Sequence, residues 1–423
     1  MCWKIWQKTY KLKNPFRNLR ELMRVQHWLA APPPRQKYLN ADGSDYTVLE
    51  DDSGRLRLVG TQLEVNMLVT GCIIAVMGTE NANGDFEVLD IKVPDLARQP
   101  ERWERDEAME ELANGNSKFK KRKQHPEGGK IAIISGLSIS SDEGDNLSRD
   151  LLMEYLLGES SGSETQQSVS NISRLIIAGN SIAEGNPLRA EELLAETKKS
   201  SKKYGYDSSA YNPIPTAHLD EFMATLLPSL PITLLPGDAD PANVSLPQQP
   251  IHSAMFPRSR NYAAMPDSSE PGWFDSTTNP WEGDIDGWRF LGNGGQPIDD
   301  VFKYLEGDER IEMMEHLLRW RCNAPTAPDT LCKYAFVHEG VFSDFFIGCY
   351  PFQERDQFIV EECPHVYFVG NQPDFDTAVI EGPLGQTVRL IAIPRFKETG
   401  ELVLLDVETL EVKIVKFNVF ERS

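Results

Sequence analysis

The sequence predicts a two-domain protein of the α+β/α/β class, in which a small N-terminal β-barrel precedes a larger α/β sandwich. The 423 residues, 40% of them apolar, are enough to bury one large core and one smaller core. Residues 37–98 alternate polar and apolar positions with a period of two, which is typical of half-buried strands. From residue 130 onward, short apolar strands alternate with amphipathic helices, which indicates a sheet covered by other layers.

The first predicted domain, residues 1–98, has short strands separated by the turn sequences DDSG and NANG. Its predicted strands cover residues 46–50, 55–59, 67–78 and 86–91. The stretch MLVTGCIIAVMG at 67–78 is too short to cross a bilayer and is predicted to be a buried strand. An OB-type barrel fits this number of strands.

Residues 99–129 are rich in charge and poor in apolar side chains, which predicts a linker that is partly helical near residues 104–112. Its basic run KFKKRK, at residues 118–123, is consistent with either a nuclear import signal or a solvated basic stretch.

The second predicted domain covers residues 130–423. Its predicted strands are 131–134, 175–178, 232–235, 366–369, 388–391 and 402–405, and its predicted helices are 145–157, 188–203, 217–226, 298–305 and 308–321. The sequence GESSG at 158–162 fits the G-x-S-x-G pattern of a nucleophile elbow, which requires a preceding strand and a following helix. Here a helix is predicted before it and a polar loop, SETQQ, after it, so the pattern is interpreted as a loop.

The composition limits the possible functions. The net charge of −21 opposes binding of a polyanion such as DNA through its phosphates. The six cysteines form no C-x-x-C pair, which favours a reducing compartment over a disulfide framework or a zinc site. The N-terminus lacks the pattern of a signal peptide, and no stretch predicts a membrane span.

Four loops follow predicted strands of the second domain, at the carboxyl edge where the chemistry of open α/β sheets takes place. Their residues are Ser135, Gly136 and Leu137; Gly179 and Asn180; Gly237, Asp238 and Asp240; and Gly370, Asn371 and Gln372. The order and setting of these loops resemble the calcineurin-like metallophosphoesterases. Active members carry D-x-H, G-D, G-N-H-D or E, a lone His and G-H-x-H in the corresponding loops, because two metal ions about 3.5–4 Å apart must be held by carboxylates and imidazoles.

This sequence departs from that pattern in every loop. The first loop offers no metal ligand, Asn180 stands where the bridging carboxylate is expected, and the last two loops lack their His residues. The resemblance therefore implies a degenerate phosphoesterase site without catalytic residues, bound metal or cofactor. The Gly and Asn residues are interpreted as serving turns with positive φ. Weak binding of one hard cation by Asn180, Asp238, Asp240 and Asn371 stays open.

Longer stretches carry a narrower resemblance, which covers nearly the whole chain. They lie at residues 27–58, 235–257, 286–304, 324–331 and 362–373. The run LPQQPIH at 246–252 is more specific than any glycine loop. Together they resemble the small regulatory (B-type) subunits of eukaryotic DNA polymerase δ in their filamentous-fungal form.

This resemblance implies a nuclear, non-catalytic scaffold for replication and repair synthesis. In such a scaffold the phosphoesterase-like domain docks the C-terminal metal-binding tail of the catalytic subunit. The barrel and the adjoining surface hold the third subunit, which reaches the sliding clamp, so contact with the clamp is indirect. Contact with DNA is expected to be weak or confined to the holoenzyme, and no membrane is involved.

Two alternatives stay open at this point. The barrel could bind single-stranded DNA directly, as OB folds often do, although residues 37–98 offer few candidate side chains such as Lys37, Tyr38, Arg55, Arg57 and Lys92. A working metallophosphoesterase with unusual ligands would instead release phosphate from a generic ester in a metal-dependent way.

Two segments depart from the family pattern. Residues 332–347, CKYAFVHEGVFSDFFI, interrupt a sequence that the family continues directly, and permitted codons contain splice signals that would leave a single Trp after removal. We interpret the segment as a retained intron, with a surface loop as the alternative. At the N-terminus, residues 1–7 stand where the family has an N-terminal region and the first barrel strand, so an incomplete barrel with an unpaired edge is expected. Either the start codon is misassigned or another part of the chain supplies that strand.

Overall fold

The structure is a computed structural model. It describes residues 2–4, 45–51, 54–65, 67–104, 129–141, 147–159, 162–183, 212–243, 245–264, 272–327, 331 and 356–417. The predicted helix at 188–203, the segment 332–347 and most of the charged linker lie outside the described residues. Within these ranges no helix has both the length and the apolar character needed to cross a membrane.

Strands dominate the part of the chain that the structure describes. The strands are β1 (Cys2–Lys4), β2 (Thr47–Asp51), β3 (Gly54–Val59), β4 (Ala75–Glu80), β5 (Phe86–Lys92), β6 (Lys130–Ile134), β7 (Ile172–Ala178), β8 (Ile232–Leu235), β9 (Phe274–Ser276), β10 (Trp281–Ile285), β11 (Trp288–Asn293), β12 (Val366–Gln372), β13 (Asp376–Glu381), β14 (Thr387–Pro394), β15 (Glu401–Asp406) and β16 (Val412–Lys416). The α-helices are α1 (Gln62–Val65), α2 (Leu147–Leu157), α3 (Ser163–Ser170), α4 (Ile214–Leu226), α5 (Gln296–Val301), α6 (Arg310–Arg319) and α7 (Phe396–Thr399). Two short 3₁₀ helices lie at Ser253–Met255 and Ser259–Tyr262.

The chain forms two compact units. The first contains residues 1–99, 297–363 and 381–386, and the second contains residues 100–296, 364–380 and 387–423. The predicted division into a barrel domain at 1–98, a linker at 99–129 and a second domain at 130–423 stays a prediction.

The first unit contains a five-stranded sheet in the order β1-β4-β5-β3-β2. The predicted strands at 46–50, 55–59 and 86–91 are confirmed by β2, β3 and β5. Strand β1, within residues 1–7, pairs with β4 in antiparallel register, and β1 and β2 are the two edge strands of the sheet that the described residues form. The expected incomplete barrel stays a prediction. Leu58, Ile74, Val76 and Val88 form the buried core of this sheet.

The strand predicted at 67–78 is wrong for residues 67–74, because only the last residues of that stretch belong to β4. Gly71 interrupts it at a φ of +85°, in the left-handed region that favours glycine. A Cβ at Gly71 would overlap the carbonyl oxygen of Pro325, so the backbone approaches too closely for any other residue.

Residues 95–98, which leave this sheet, are held by side chains from later in the sequence. Arg319 forms an ion pair with Asp95 at 2.6 Å, and the Arg321 Nε donates to the Asp95 carbonyl oxygen at 2.7 Å. The Gln386 amide donates to the Ala97 carbonyl oxygen at 3.0 Å. The first unit therefore depends on residues more than 200 positions apart, as the separation of 224 residues between Asp95 and Arg319 illustrates.

The second unit contains two sheets. One has six strands in the order β16-β15-β6-β7-β8-β9, and β6 to β9 run parallel; the other has five in the order β10-β11-β12-β14-β13. A core that includes Ile133, Ile176, Phe290, Phe368 and Ile391 joins apolar residues of both sheets. A second core combines the other face of the six-stranded sheet with helices α2 and α4. The unit is a sheet-on-sheet sandwich with helices on one face.

The polar segment after GESSG is a helix, so the predicted loop at SETQQ is wrong. Helix α3 begins after Gly162 and buries Val169, and the Lys130 ammonium donates to the Ser168 hydroxyl at 2.9 Å. Tertiary contacts of this kind outweigh a weak local pattern. A helix still precedes the motif, so the context of a nucleophile elbow is absent from these described residues.

Candidate functional site: the loop cluster

Three of the predicted loops follow β6, β7 and β8. The loop predicted at Gly370, Asn371 and Gln372 is wrong, because these residues are the end of β12, whose pairing with β14 shifts register between Val369 and Gln372. Because β6, β7 and β8 are adjacent and parallel, their loops leave the sheet at the same edge. The Gly136 N–H donates to the Gly179 carbonyl oxygen at 3.0 Å, and the Ser138 N–H donates to the Asn180 carbonyl oxygen at 3.1 Å. The loops after β6 and β7 therefore lie beside one another. We call the three loops and residues 370–372 together the loop cluster, and we keep the numbering of the predicted loops, with residues 370–372 as the fourth.

Ser135 and Asn371 join the first and fourth loops. The buried Ser135 hydroxyl donates to the Pro394 carbonyl oxygen at 3.0 Å and accepts the Asn371 N–H at 2.9 Å. The Asn371 Nδ2 donates to the Gly294 carbonyl oxygen at 2.8 Å, which fixes the orientation of the amide. Asn371 thus presents a donor, rather than a metal-binding oxygen, toward Gly294.

Asn180 and Asp240 join the second and third loops. The Asn180 Oδ1 accepts the Ala239 N–H at 3.1 Å. The two oxygens of the Asp240 carboxyl accept the Ile182 N–H at 3.1 Å and the Gly237 N–H at 2.7 Å. These oxygens therefore already have backbone donors.

Burial dominates the electrostatics of Asp240, a residue that is only 6% exposed. Removal from water raises the pKa of Asp240 to about 6, while the N–H groups of Ile182 and Gly237 oppose that increase. The Asp240 carboxyl group is therefore buried and held by backbone N–H groups of two loops, which is typical of a structural side chain.

Asn180 and Asn371 both have positive φ, 52° and 58°, as do Gly136 and Gly179 at 62° and 82°. The interpretation that these residues serve turns with positive φ agrees with Gly136, Gly179 and Asn180. It is wrong for Gly237 and Gly370, which do not have positive φ, and Asn371 has its positive φ within β12, where the strand shifts register. A Cβ at Gly179 would lie 3.1 Å from the Gly237 Cα, so the loops are in close contact.

The remaining predicted residues have different environments. Leu137 points into the core beside the helices and is 4% exposed. Gln372 is buried and its Nε2 donates to the Gly370 carbonyl oxygen at 2.8 Å. Asp238 is half-buried at the rim of the cluster.

Sequence reasoning missed a network of buried amides beside the cluster. The Gln248 Nε2 donates to the Gly237 carbonyl oxygen at 3.0 Å, and the Gln248 Oε1 accepts hydrogen bonds from Asn279 at 2.8 Å and Gln296 at 3.0 Å. The Asn279 Oδ1 accepts the Gly294 N–H at 3.1 Å. Gln248 belongs to the LPQQP run. The specificity of that run was the sequence signal that could have indicated a structural role for Gln248.

The cluster does not fit a two-metal centre. Of the side-chain oxygens that could act as ligands, those of Asn180 and Asp240 accept backbone N–H groups. The buried Asn371 Oδ1 and Ser181 Oγ have no hydrogen-bond partner among the described residues. Across the described ranges, no three His, Cys, Asp or Glu side chains are grouped so that they could hold a metal ion.

Comparison with protein families identifies both parts of the chain. Residues 131–377 match the B-subunit family of DNA polymerases alpha and epsilon, and residues 7–91 match the DNA polymerase delta subunit OB-fold domain. The DNA polymerase delta small subunit of Arabidopsis thaliana is 36% identical over 374 residues, which cover 88% of this chain and 73% of the relative. The chain belongs to the family of DNA polymerase δ small subunits.

Other relatives agree with this family membership. The DNA polymerase delta small subunit of Saccharomyces cerevisiae is 31% identical over 99% of this chain and 79% of its own length. The DNA polymerase delta subunit 2 of Drosophila melanogaster is 32% identical, over 93% of this chain and 78% of its own length. The chain is therefore an accessory subunit of DNA polymerase δ.

Among solved structures, the alignment with the Haemophilus influenzae NAD nucleotidase covers 68% of this chain and 55% of the nucleotidase chain. The sequence identity is 10% and the TM-score is 0.25. A similarity of that size carries no argument about fold.

Proposed function

We propose that this accessory subunit is a non-catalytic scaffold whose loop cluster is a phosphoesterase-like site that no longer works. The observation that carries the proposal is the hydrogen bonding of Asn180, Asp240 and Asn371. At positions where an active enzyme needs metal-binding oxygens, the Asn180 and Asp240 oxygens accept backbone N–H groups, and the Asn371 Nδ2 donates to the Gly294 carbonyl oxygen. The cluster stabilises the edge of the sandwich instead of holding metal ions.

The scaffold joins the other polymerase δ subunits in the nucleus. In this proposal the phosphoesterase-like part docks the C-terminal metal-binding tail of the catalytic subunit, and the OB part with its adjoining surface holds the third subunit. The net charge of −21 supports contact with DNA only within the holoenzyme, because an isolated acidic chain repels phosphates. The similarity to the filamentous-fungal form belongs to the same proposal.

Phosphoesterase assays test the loss of catalysis. The purified chain is incubated with a chromogenic phosphomonoester and with a phosphodiester, each with Mn²⁺, Mg²⁺ or Zn²⁺, beside the Asp238→Asn and Asp240→Asn variants. We expect all three proteins to release phosphate at the rate of the protein-free blank. Metal-dependent release that either substitution abolishes would contradict the proposal and would support the metallophosphoesterase alternative.

A further inference from the structure

The sequence contains three Asn-Gly pairs, which begin at Asn83, Asn114 and Asn293. In such a pair the glycine nitrogen can attack the amide carbon of the asparagine side chain, because glycine has no side chain to obstruct the approach. Asn114 lies outside the described residues. The structure gives Asn83 and Asn293 opposite environments.

Asn83 lies at the tip of the hairpin that joins β4 to β5. Asn83 and Gly84 are both exposed, and a Cβ at Gly84 would meet no heavy atom within 4 Å. Gly84 has a φ of +82°, in the left-handed region that favours glycine. The pair is therefore open to water, and the surrounding structure leaves it room to change conformation.

Asn293 lies at the end of β11 and is 0% exposed. Its Oδ1 accepts the Gly295 N–H at 2.9 Å, and its Nδ2 donates to the Tyr367 hydroxyl at 3.2 Å. The Gly294 N–H donates to the Asn279 Oδ1 at 3.1 Å. Both the attacking nitrogen and the side-chain amide of this pair are therefore held by other groups, in a site that water does not reach.

The turn that contains Asn83 is held by one neighbouring residue, Asn81. The Asn81 Oδ1 accepts the N–H groups of Asn83 at 2.9 Å and Asp85 at 3.0 Å. The Asn81 carbonyl oxygen accepts the Gly84 N–H at 3.1 Å, so the attacking nitrogen is engaged while the turn is closed. Attack requires the turn to open, and local opening of an exposed loop costs little free energy.

We propose that Asn83 is a site of spontaneous deamidation, and that the side chain of Asn81 sets its rate by holding the turn closed. Asn293, with the same glycine neighbour, is protected by its burial. The proposal does not depend on the proposed function, since it concerns only the chemistry of these two Asn-Gly pairs.

The reaction needs only water as a co-reactant. The Gly84 nitrogen forms a bond to the Asn83 Cγ, the bond from Cγ to Nδ2 breaks, and the Gly84 amide proton leaves with the released ammonia. Water then opens the resulting cyclic imide at one of its two carbonyl carbons. One opening gives aspartate, and the other gives isoaspartate, in which the backbone runs through Cγ.

Both products change the hairpin. Isoaspartate lengthens the backbone at the tip of a turn whose nearest strand pair is Glu80 with Phe86. Each product also adds a negative charge close in sequence to Glu80 and Asp85, and like charges repel. Deamidation therefore weakens the pairing of β4 with β5.

Peptide mapping of the full-length chain, after incubation in water labelled with heavy oxygen, tests the site. We expect the folded chain to take up label at Asn83 at least about tenfold faster than at Asn293. In urea, where the fold is lost, Asn293 should react about as fast as Asn83, because both precede glycine. The product at position 83 should include isoaspartate, which a protein isoaspartate methyltransferase labels.

Substitutions in the turn test what sets the rate. Asn81→Ala removes the acceptor of two N–H groups, so deamidation at Asn83 should become about fivefold faster. Asn81→Asp is the matched control, because it keeps an acceptor oxygen, and it should react at the wild-type rate. Asn83→Gln, at an exposed position, should take up no label, because its longer side chain forms the cyclic imide far more slowly.

Three results would overturn the proposal. The first is an equal rate at Asn83 and Asn293 in the folded chain, and the second is aspartate as the sole product, which indicates direct hydrolysis of the side-chain amide. The third is an Asn81→Ala variant that reacts no faster than the wild type. The comparison of Asn83 with Asn293 uses the wild-type chain, so it decides the site even if a variant fails to fold.

Discussion

Asp240 shows at the scale of one residue how the loop cluster differs from a metal site. Its carboxyl group is buried and accepts N–H groups from Ile182 and Gly237 on two different loops. Burial raises the pKa of Asp240 to about 6, above the ordinary value of 3.8. The folded protein therefore binds a proton at this site more tightly than the unfolded chain does.

This shift has a definite effect on stability. Between the unfolded pKa of 3.8 and the folded pKa of about 6, the folded state holds more protons at Asp240, so its contribution to stability falls as pH rises. The loss is on the order of 2–3 kcal/mol by pH 7. Urea unfolding at pH 5.5 and pH 7.5 should show a smaller decrease in the free energy of unfolding for Asp240→Asn than for the wild type.

The Asp240→Asn variant should also be less stable than the wild type at both pH values, by about 1–3 kcal/mol, because an amide can accept only one of the two N–H groups through oxygen. Asp238→Asn, at the half-buried neighbouring carboxyl, is the control and should keep the pH dependence of the wild type. An Asp240→Asn variant with the pH dependence of the wild type would contradict this account.

The residues of the cluster were predictable to different degrees. Gly136, Gly179 and Asn180 could be predicted because glycine and asparagine after apolar strands indicate left-handed turns, whereas Asn371 has its positive φ inside β12. For Gln248 the only signal was the specific LPQQP run, and Asn279 had none, because both side chains reach the cluster only through the tertiary fold. The separation of 31 residues between these two hydrogen-bonded amides shows why local patterns miss them.

At the scale of elements, the close approach of the loops after β7 and β8 excludes any residue with a side chain at position 237. A Cβ at Gly237 would overlap the Asn180 backbone nitrogen and come within 2.9 Å of the Gly179 carbonyl carbon. Both neighbours are backbone at the end of β7, so neither can rotate away. The loops after β7 and β8 can therefore pack together only if residue 237 has no side chain.

Gly237→Ala should lower the free energy of unfolding by at least about 2 kcal/mol, since the end of β7 must shift to make room. Gly162→Ala is the matched control, because no heavy atom lies within 4 Å of a Cβ at that exposed position, and it should cost less than about 1 kcal/mol. Chemical denaturation measures both. Equal effects of the two substitutions would show that the loops do not depend on this contact.

Elements with a long apolar run were predictable, and short or polar elements were not. Strands β6, β7, β8 and β12 were found because their apolar residues are buried on both faces, which gives continuous runs. The strands β9 and β10 were missed because they are short and lie at sheet edges, where alternating Gly, Asp and Glu weaken the pattern.

At the scale of the whole molecule, the two units are each assembled from separate parts of the chain. Residues 297–363 and 381–386 belong to the same unit as residues 1–99. Local patterns could predict the OB-type strands but not this grouping, because contacts such as Arg319 with Asp95 leave no periodic signal in the sequence. The family models, which match residues 7–91 and 131–377, describe the same chain as two consecutive segments.

Co-purification with the catalytic subunit tests the central claim, that this chain is an accessory scaffold of DNA polymerase δ. The tagged C-terminal tail of the catalytic subunit is co-expressed with this chain, both as it stands and with residues 332–348 replaced by a single Trp. A tail with its metal-binding residues substituted is the control. We predict stoichiometric co-purification that survives about 0.3 M salt and is lost with the control tail. Soluble, folded protein of both forms that fails to bind the intact tail would contradict the account.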